Sequence, residues 1–225
     1  MKNIVISGVI VLVVALLAPQ IIQAQGTIYL SNLGQPSTGS FAVGSDSWLA
    51  MYFFTGNNTG GYVLNSIQLA MTDASGTPNG FTVMLCGVGN QPGGPVPGSS
   101  LGTLSGSTDP ATGGIFTYTP ASNLTLSAGT SYYIVLTAGT AVANGAYAWS
   151  LAGANSYNPN GGWAVIGGVS TDFLHSSDGS SWNSISFSFP QFAIDATAVP
   201  EPGIFGLFGL GGSFLAWHRR KAKTV

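Results

Sequence analysis

Between residues 25 and 200 the apolar residues fall into short runs, each closed by a cluster of Gly, Pro, Asn and Ser. No stretch there keeps the period of about 3.6 residues that an amphipathic helix needs. This punctuation confines the chain to all-β architectures. Alternation with period two is plain in Ser184-Ile185-Ser186-Phe187-Ser188-Phe189, with Ile and Phe on one face and Ser on the other. Phe192–Ala196 repeats it after Pro190, and Tyr147, Trp149 and Leu151 alternate with small residues. Leu124 and Leu126 flank Thr125, as Phe116 and Tyr118 flank Thr117. Trp48–Phe54, Ile67–Met71, Val83–Val88 and Tyr132–Leu136 are apolar on both sides, the pattern of central strands covered on both faces.

The breaks at Gly56–Gly61, Gly76–Gly80, Gly89–Ser100, Asp109–Gly114, Asn155–Gly162 and Ser176–Ser181 read as turns and loops. Short strands at this spacing, without an internal repeat, predict an antiparallel β-sandwich of jelly-roll type over residues 25–198. A single cysteine, Cys86, excludes an intramolecular disulfide. It sits in an apolar run and reads as a buried, inert thiol.

Charge placement then sorts the functions. Only 5% of the chain is charged, and no Lys or Arg occurs from residue 3 to residue 218. Residues 25–200 carry six Asp and no Lys or Arg, a formal charge of −6. A body without cations cannot neutralise phosphates, which excludes nucleic-acid binding and disfavours nucleotide chemistry. All five basic residues lie at the ends: Lys2, Arg219, Arg220, Lys221 and Lys223.

The N-terminal end reads as a signal peptide over residues 1–24, helical, with Lys2 ahead of the apolar run Ile4–Ala18 and cleavage between Ala24 and Gln25. Such a segment implies the Sec export machinery as a partner. The C-terminal end, residues 199–225, opens on Val199-Pro200-Glu201-Pro202, continues as an apolar helix from Gly203 to Trp217 and closes on Arg219-Arg220-Lys221. Fifteen helical residues reach about 22 Å, short of a hydrocarbon core of about 30 Å, so snorkelling cations and Trp217 would complete the span. The basic cluster acts as a stop-transfer signal and keeps the C-terminus cytoplasmic. With both ends starting there, the body belongs across the inner membrane.

This tail resembles a PEP-CTERM sorting signal: Val-Pro-Glu-Pro, a Gly-rich hydrophobic span and a short basic end. The resemblance implies export in Gram-negative bacteria that make extracellular polysaccharide, and processing by exosortase, a membrane protease, near Pro200-Glu201-Pro202. The body resembles the choice-of-anchor R domain through Trp48-Leu49-Ala50, Gly61–Ile67, Gly76–Val83, Tyr132–Leu136, Tyr147-Ala148-Trp149, Gly161-Gly162-Trp163 and Ser177–Trp182. That resemblance implies no activity for any residue.

Residues able to carry chemistry are few. His175 is the body's one histidine, too few for zinc and unconvincing as a triad member beside Asp172. Glycoside hydrolysis needs two carboxylates about 5 or about 6.5–9.5 Å apart. The six Asp are scattered, and Asp73, Asp109 and Asp178 sit where a turn Asp bonds its own backbone. No catalytic residue and no resident metal is expected. A structural Ca²⁺ is the one cofactor the pattern admits, with Asp46, Asp172 and Asp178 as candidates. Tyr157, Trp163 and Trp182 lie in or beside loops, where an exposed ring could stack on a sugar, but a sandwich with few other large residues there favours them as core. Ser176–Trp182 reads as an Asp-Gly hairpin turn with its Trp packed behind.

The expectation is an exported, non-enzymatic cell-surface or extracellular-matrix protein of polysaccharide-rich biofilm, anchored by its tail. A secreted carbohydrate-binding module for matrix polysaccharide is the alternative, and a carboxylate-based glycoside hydrolase comes third.

Overall fold

The computed structural model describes residues 26–106, 109–153, 157–165, 172–185 and 189–201. The expected signal helix with Ala24 and Gln25, and the tail from Pro202 through Arg219, Arg220 and Lys221, lie outside the described residues. Among the described residues fifteen strands follow in chain order. They are β1 Thr27–Ser31, β2 Ser37–Val43, β3 Trp48–Phe54, β4 Tyr62–Gly76, β5 Thr82–Gln91, β6 Gly94–Gly106, β7 Gly114–Pro120 and β8 Leu124–Leu126. Next come β9 Ser131–Thr137, β10 Gly145–Ala152, β11 Asn158–Pro159, β12 Phe173–Ser176, β13 Asn183–Ser184, β14 Phe189–Pro190 and β15 Phe192–Ala198. Every pairing is antiparallel. The all-β reading holds.

The path β11-β1-β15-β4-β7-β6-β5-β9-β3-β12-β13 is continuous, so the two layers of the expected sandwich are one curled sheet joined through β6. β6 pairs with β5 from Gly94 to Leu104, and its last residues, Leu104–Gly106, pair with β7. The hub is β4. One of its edges takes β15 and then β10, and the other takes β8 and then β7.

Pleating explains the core. Leu49, Met51 and Phe53 of β3, Val83 and Leu85 of β5, and Tyr132, Ile134 and Leu136 of β9 point into the main core. There they meet Leu64, Ile67 and Leu69 of β4, Trp149 of β10 and Ile194 of β15. The residues between them, Ala50, Tyr52, Tyr133 and Val135, form a second cluster on the outer face with Cys86, Leu174 and Trp182. β3 and β9 are therefore covered on both faces, as their unbroken apolar runs require.

The cover comes from a segment that the sequence reads as loop. Gly89–Ser100 is not a loop: it belongs to the β5–β6 hairpin, which turns at Pro92-Gly93 with Gln91 opposite Gly94. A ladder needs backbone rather than side chains, and glycine lets the two backbones close up. A Cβ on Gly98 would stand 2.8 Å from the Gly89 nitrogen. The hairpin folds over the outer face, where the Tyr133 hydroxyl donates to the Pro95 carbonyl at 2.9 Å.

Candidate functional site: the junction of sheet and sorting motif

β15 lies inside the sheet, between β1 and β4, and buries Phe192, Ile194 and Ala196. Its last residue, Ala198, is registered against Tyr62. The chain then enters Val199-Pro200-Glu201 with no linker. The Val199 N–H donates to the Gly61 carbonyl at 3.0 Å. Asn58 Nδ2 donates to the Val199 carbonyl at 3.0 Å and to the Gly61 carbonyl at 2.6 Å. The Asn58 loop is itself closed, since Gly61 N–H donates to the Asn58 carbonyl at 2.8 Å and Asn58 N–H to the Tyr62 hydroxyl at 3.3 Å. A side chain at position 60 would collide with Val199, because a Cβ there lies 2.5 Å from its carbonyl oxygen. Gly61 adopts φ +74°, which a larger residue tolerates poorly. Val199 is half-buried, and Pro200 and Glu201 are exposed.

The aromatics weighed for sugar stacking lie elsewhere, and their burial favours the core reading. Trp163 is 1% exposed. Its faces are taken by Tyr29 at 5.1 Å and Phe53 at 5.8 Å, with Tyr62 edge-on at 5.0 Å. Trp182 is 5% exposed in the outer-face cluster. Gln91 holds its backbone on both sides, Nε2 donating to the Trp182 carbonyl at 2.9 Å and Oε1 accepting from its N–H at 3.1 Å. Tyr157 packs against Phe192 and donates its hydroxyl to the Pro190 carbonyl at 2.9 Å. Burial pushes that hydroxyl's pKa up. In a body with few large side chains the aromatics fill the interior.

The carboxylates are engaged within the fold, some by backbone amides and some by side chains. Asp46 accepts from Val142 N–H at 2.8 Å and Asp73 from Gly113 N–H at 2.7 Å. Asp109 accepts from the Tyr147 hydroxyl at 2.9 Å and Asp195 from Asn65 Nδ2 at 2.9 Å. Asp178 Oδ1 accepts from Ser180 N–H at 2.8 Å, Ser181 N–H at 2.9 Å and the Ser176 hydroxyl at 2.9 Å. These bonds hold its carboxyl well below the usual range, the Ser181 and Ser180 amides contributing most. The hairpin turn read from Ser176–Trp182 is thus present, joining β12 to β13. Among the described residues no group of three or more His, Cys, Asp or Glu gathers as a cation site would. Cys86 is buried, and burial pushes its thiol up to about 11, so it stays protonated at neutral pH. His175 is half-buried in β12, in a shallow groove with Phe41 and Ile185.

Asn58 gave no sequence signal as a clamp, because an Asn among Gly and Thr reads as turn chemistry. The comparisons bear on the other side of the junction. No curated protein matches the chain. The family model of the PEP-CTERM protein-sorting motif matches residues 198–221. That match implies exosortase as the processing partner and a membrane-associated place at the cell surface. The body's likeness to the choice-of-anchor R domain remains an expectation from its motifs. From Ala198 onward, then, this chain carries a PEP-CTERM sorting signal and is an exported protein sorted by exosortase.

Proposed function

We propose that residues 25–198 form a non-enzymatic surface or matrix module, delivered across the inner membrane and held there by the tail until it is processed. The carboxylate bonding supports this reading most directly. Asp46, Asp73, Asp109, Asp178 and Asp195 each accept a bond that closes a turn, a loop or a strand contact. Acid–base work needs a carboxyl free to exchange its proton with a substrate. The tail supplies placement instead of chemistry, with exposed Pro200 and Glu201 offered at the end of a locked strand. The test is to replace Pro200-Glu201-Pro202 with Gly-Ser-Gly and follow mature mass and location. The variant should accumulate uncut in the membrane fraction. An unchanged mass and location would sink the sorting reading.

A carbohydrate-binding role keeps one place. A cleft of about 250 Å³ between the β5–β6 hairpin and β13 is uncharged, lined by Gln91, Pro95, Leu174, Trp182, Asn183 and Ser184. Uncharged amides and hydroxyls over an apolar floor suit a neutral polysaccharide. Binding on a glycan array that Asn183→Ala weakens would favour it, and a flat array would end it.

A further inference from the structure

We propose that the body grips the first residue of the sorting motif as part of its own fold, so that the processing cut falls on the C-terminal side of Val199. This rests on the tail being an exosortase substrate. A peptidase takes its substrate as an extended segment whose backbone groups are free to pair with the enzyme. β15 has little to offer, since its β4 ladder runs to Ala198 and its β1 ladder to Ala196. It is bonded to β1 over Thr27–Ser31 on one side and to β4 over Tyr62–Leu69 on the other. Presenting it would mean peeling Phe192, Ile194 and Ala196 out of the core.

The lock extends one residue past the sheet. Both backbone polar groups of Val199 are engaged, the N–H by Gly61 and the carbonyl by Asn58. Gly60 is the residue that lets them meet, since any Cβ there would strike the Val199 carbonyl. Pro200 lacks an N–H, is exposed, and starts the segment an enzyme can handle. Asn58 is therefore a positioning residue: it sets the point where the motif leaves the fold. In the reaction one peptide C–N bond at or beyond Val199–Pro200 breaks. The tail leaves with a new amino group, and the body's acyl end passes to water or to an anchor's amine. The last residue kept by the body is the same for either acceptor.

The test is the C-terminal residue of the mature protein, read by mass spectrometry on material recovered from producing cells. A chain ending at Val199 or at a later residue short of Val225 is the expected result. An end at Ala198 or earlier overturns the proposal. A tail intact to Val225 overturns the processing reading itself, and this proposal with it. The clamp has its own readout in hydrogen exchange on the full-length chain in detergent. The Val199 amide should be protected, and should exchange about tenfold faster in Asn58→Asp, which replaces a donor with an acceptor facing two carbonyls. A Val199 amide that exchanges like a free peptide in the unsubstituted chain would overturn the grip. Asn58→Asp should also spread the mature end back to Ala198 and Thr197, which lie past the end of the β1 ladder, while leaving the thermal midpoint of the body little changed. A single unchanged end would remove Asn58 from the mechanism.

Discussion

A side chain's job in this protein is set by which of its faces is already taken. Trp163 follows two glycines in a stretch that reads as a turn, yet it is sealed between Tyr29, Phe53 and Tyr62. Its indole Nε1 is buried with no hydrogen-bond partner among the described residues. Trp163→Ala should therefore cost about 3–5 kcal/mol in denaturant unfolding, as for a large core residue. Trp163→Phe should cost far less, because the orphaned N–H goes with the lost area. Equal costs for the two would contradict the packing. Asp178 shows the opposite case, an exposed residue fully occupied by its own turn. Its folded pKa is depressed. The turn's contribution is thus complete above the ordinary carboxylate pKa of about 3.9 and fades as pH falls below it. Thermal midpoints measured against pH should show a shallower acid limb in Asp178→Asn.

At the scale of elements, β4 is where the fold is decided. The edge that carries β15 up to Leu69 carries β10 from Met71, and Gln191 stands at the handover. Its carbonyl accepts from Ala70 N–H at 3.1 Å and Trp149 Nε1 at 3.0 Å. Its side chain accepts from the Ser150 hydroxyl at 2.6 Å and donates to the Gln35 carbonyl at 2.7 Å. Asn32 does the same at the neighbouring join, bonding the Pro190 carbonyl and the Phe192 N–H. Gln191→Ala would leave buried groups unpaired and should lower stability by about 1–3 kcal/mol, whereas Gln68→Ala on the same strand pair should fall within about 0.5 kcal/mol. Chemical denaturation of both variants checks the contrast. Neither Gln191 nor Asn32 stands out in the sequence, since a polar residue next to Pro190 reads as a strand end. Several strands were legible, although β1, β2 and β12 were not. Trp48–Phe54 is β3 residue for residue, and Leu124–Leu126 is β8. Gly89–Ser100 was misread because glycine and proline carry no alternation that would betray a ladder.

For the whole molecule the placement of charge dominates. With six Asp and no Lys or Arg between residues 25 and 200, the body holds no Lys or Arg ion pair that salt could screen. What salt can screen is repulsion among carboxylates. Raising ionic strength from about 0.02 to about 0.5 M should therefore leave the thermal midpoint unchanged or higher, never lower. A midpoint that falls would point to an attractive Lys or Arg term that the body lacks. Processing should also move the protein to a lower isoelectric point than the intact chain's 5.4, because the removed tail carries four of the five cations.

Alternation, turn clusters and the address at each end are local properties, and the sequence by itself determined them: an all-β body, an exported chain and a sorting tail. Period two reports which face a side chain takes, but it carries no information about what lies opposite. Only the tertiary structure decided that the loop aromatics are core and that the Gly-rich hairpin covers the outer face of β3 and β9. It alone also showed that Asn58 meets Val199. Each of these is a contact between residues far apart in the chain, and the backbone geometry that brings them together is the sum of every register and bulge between.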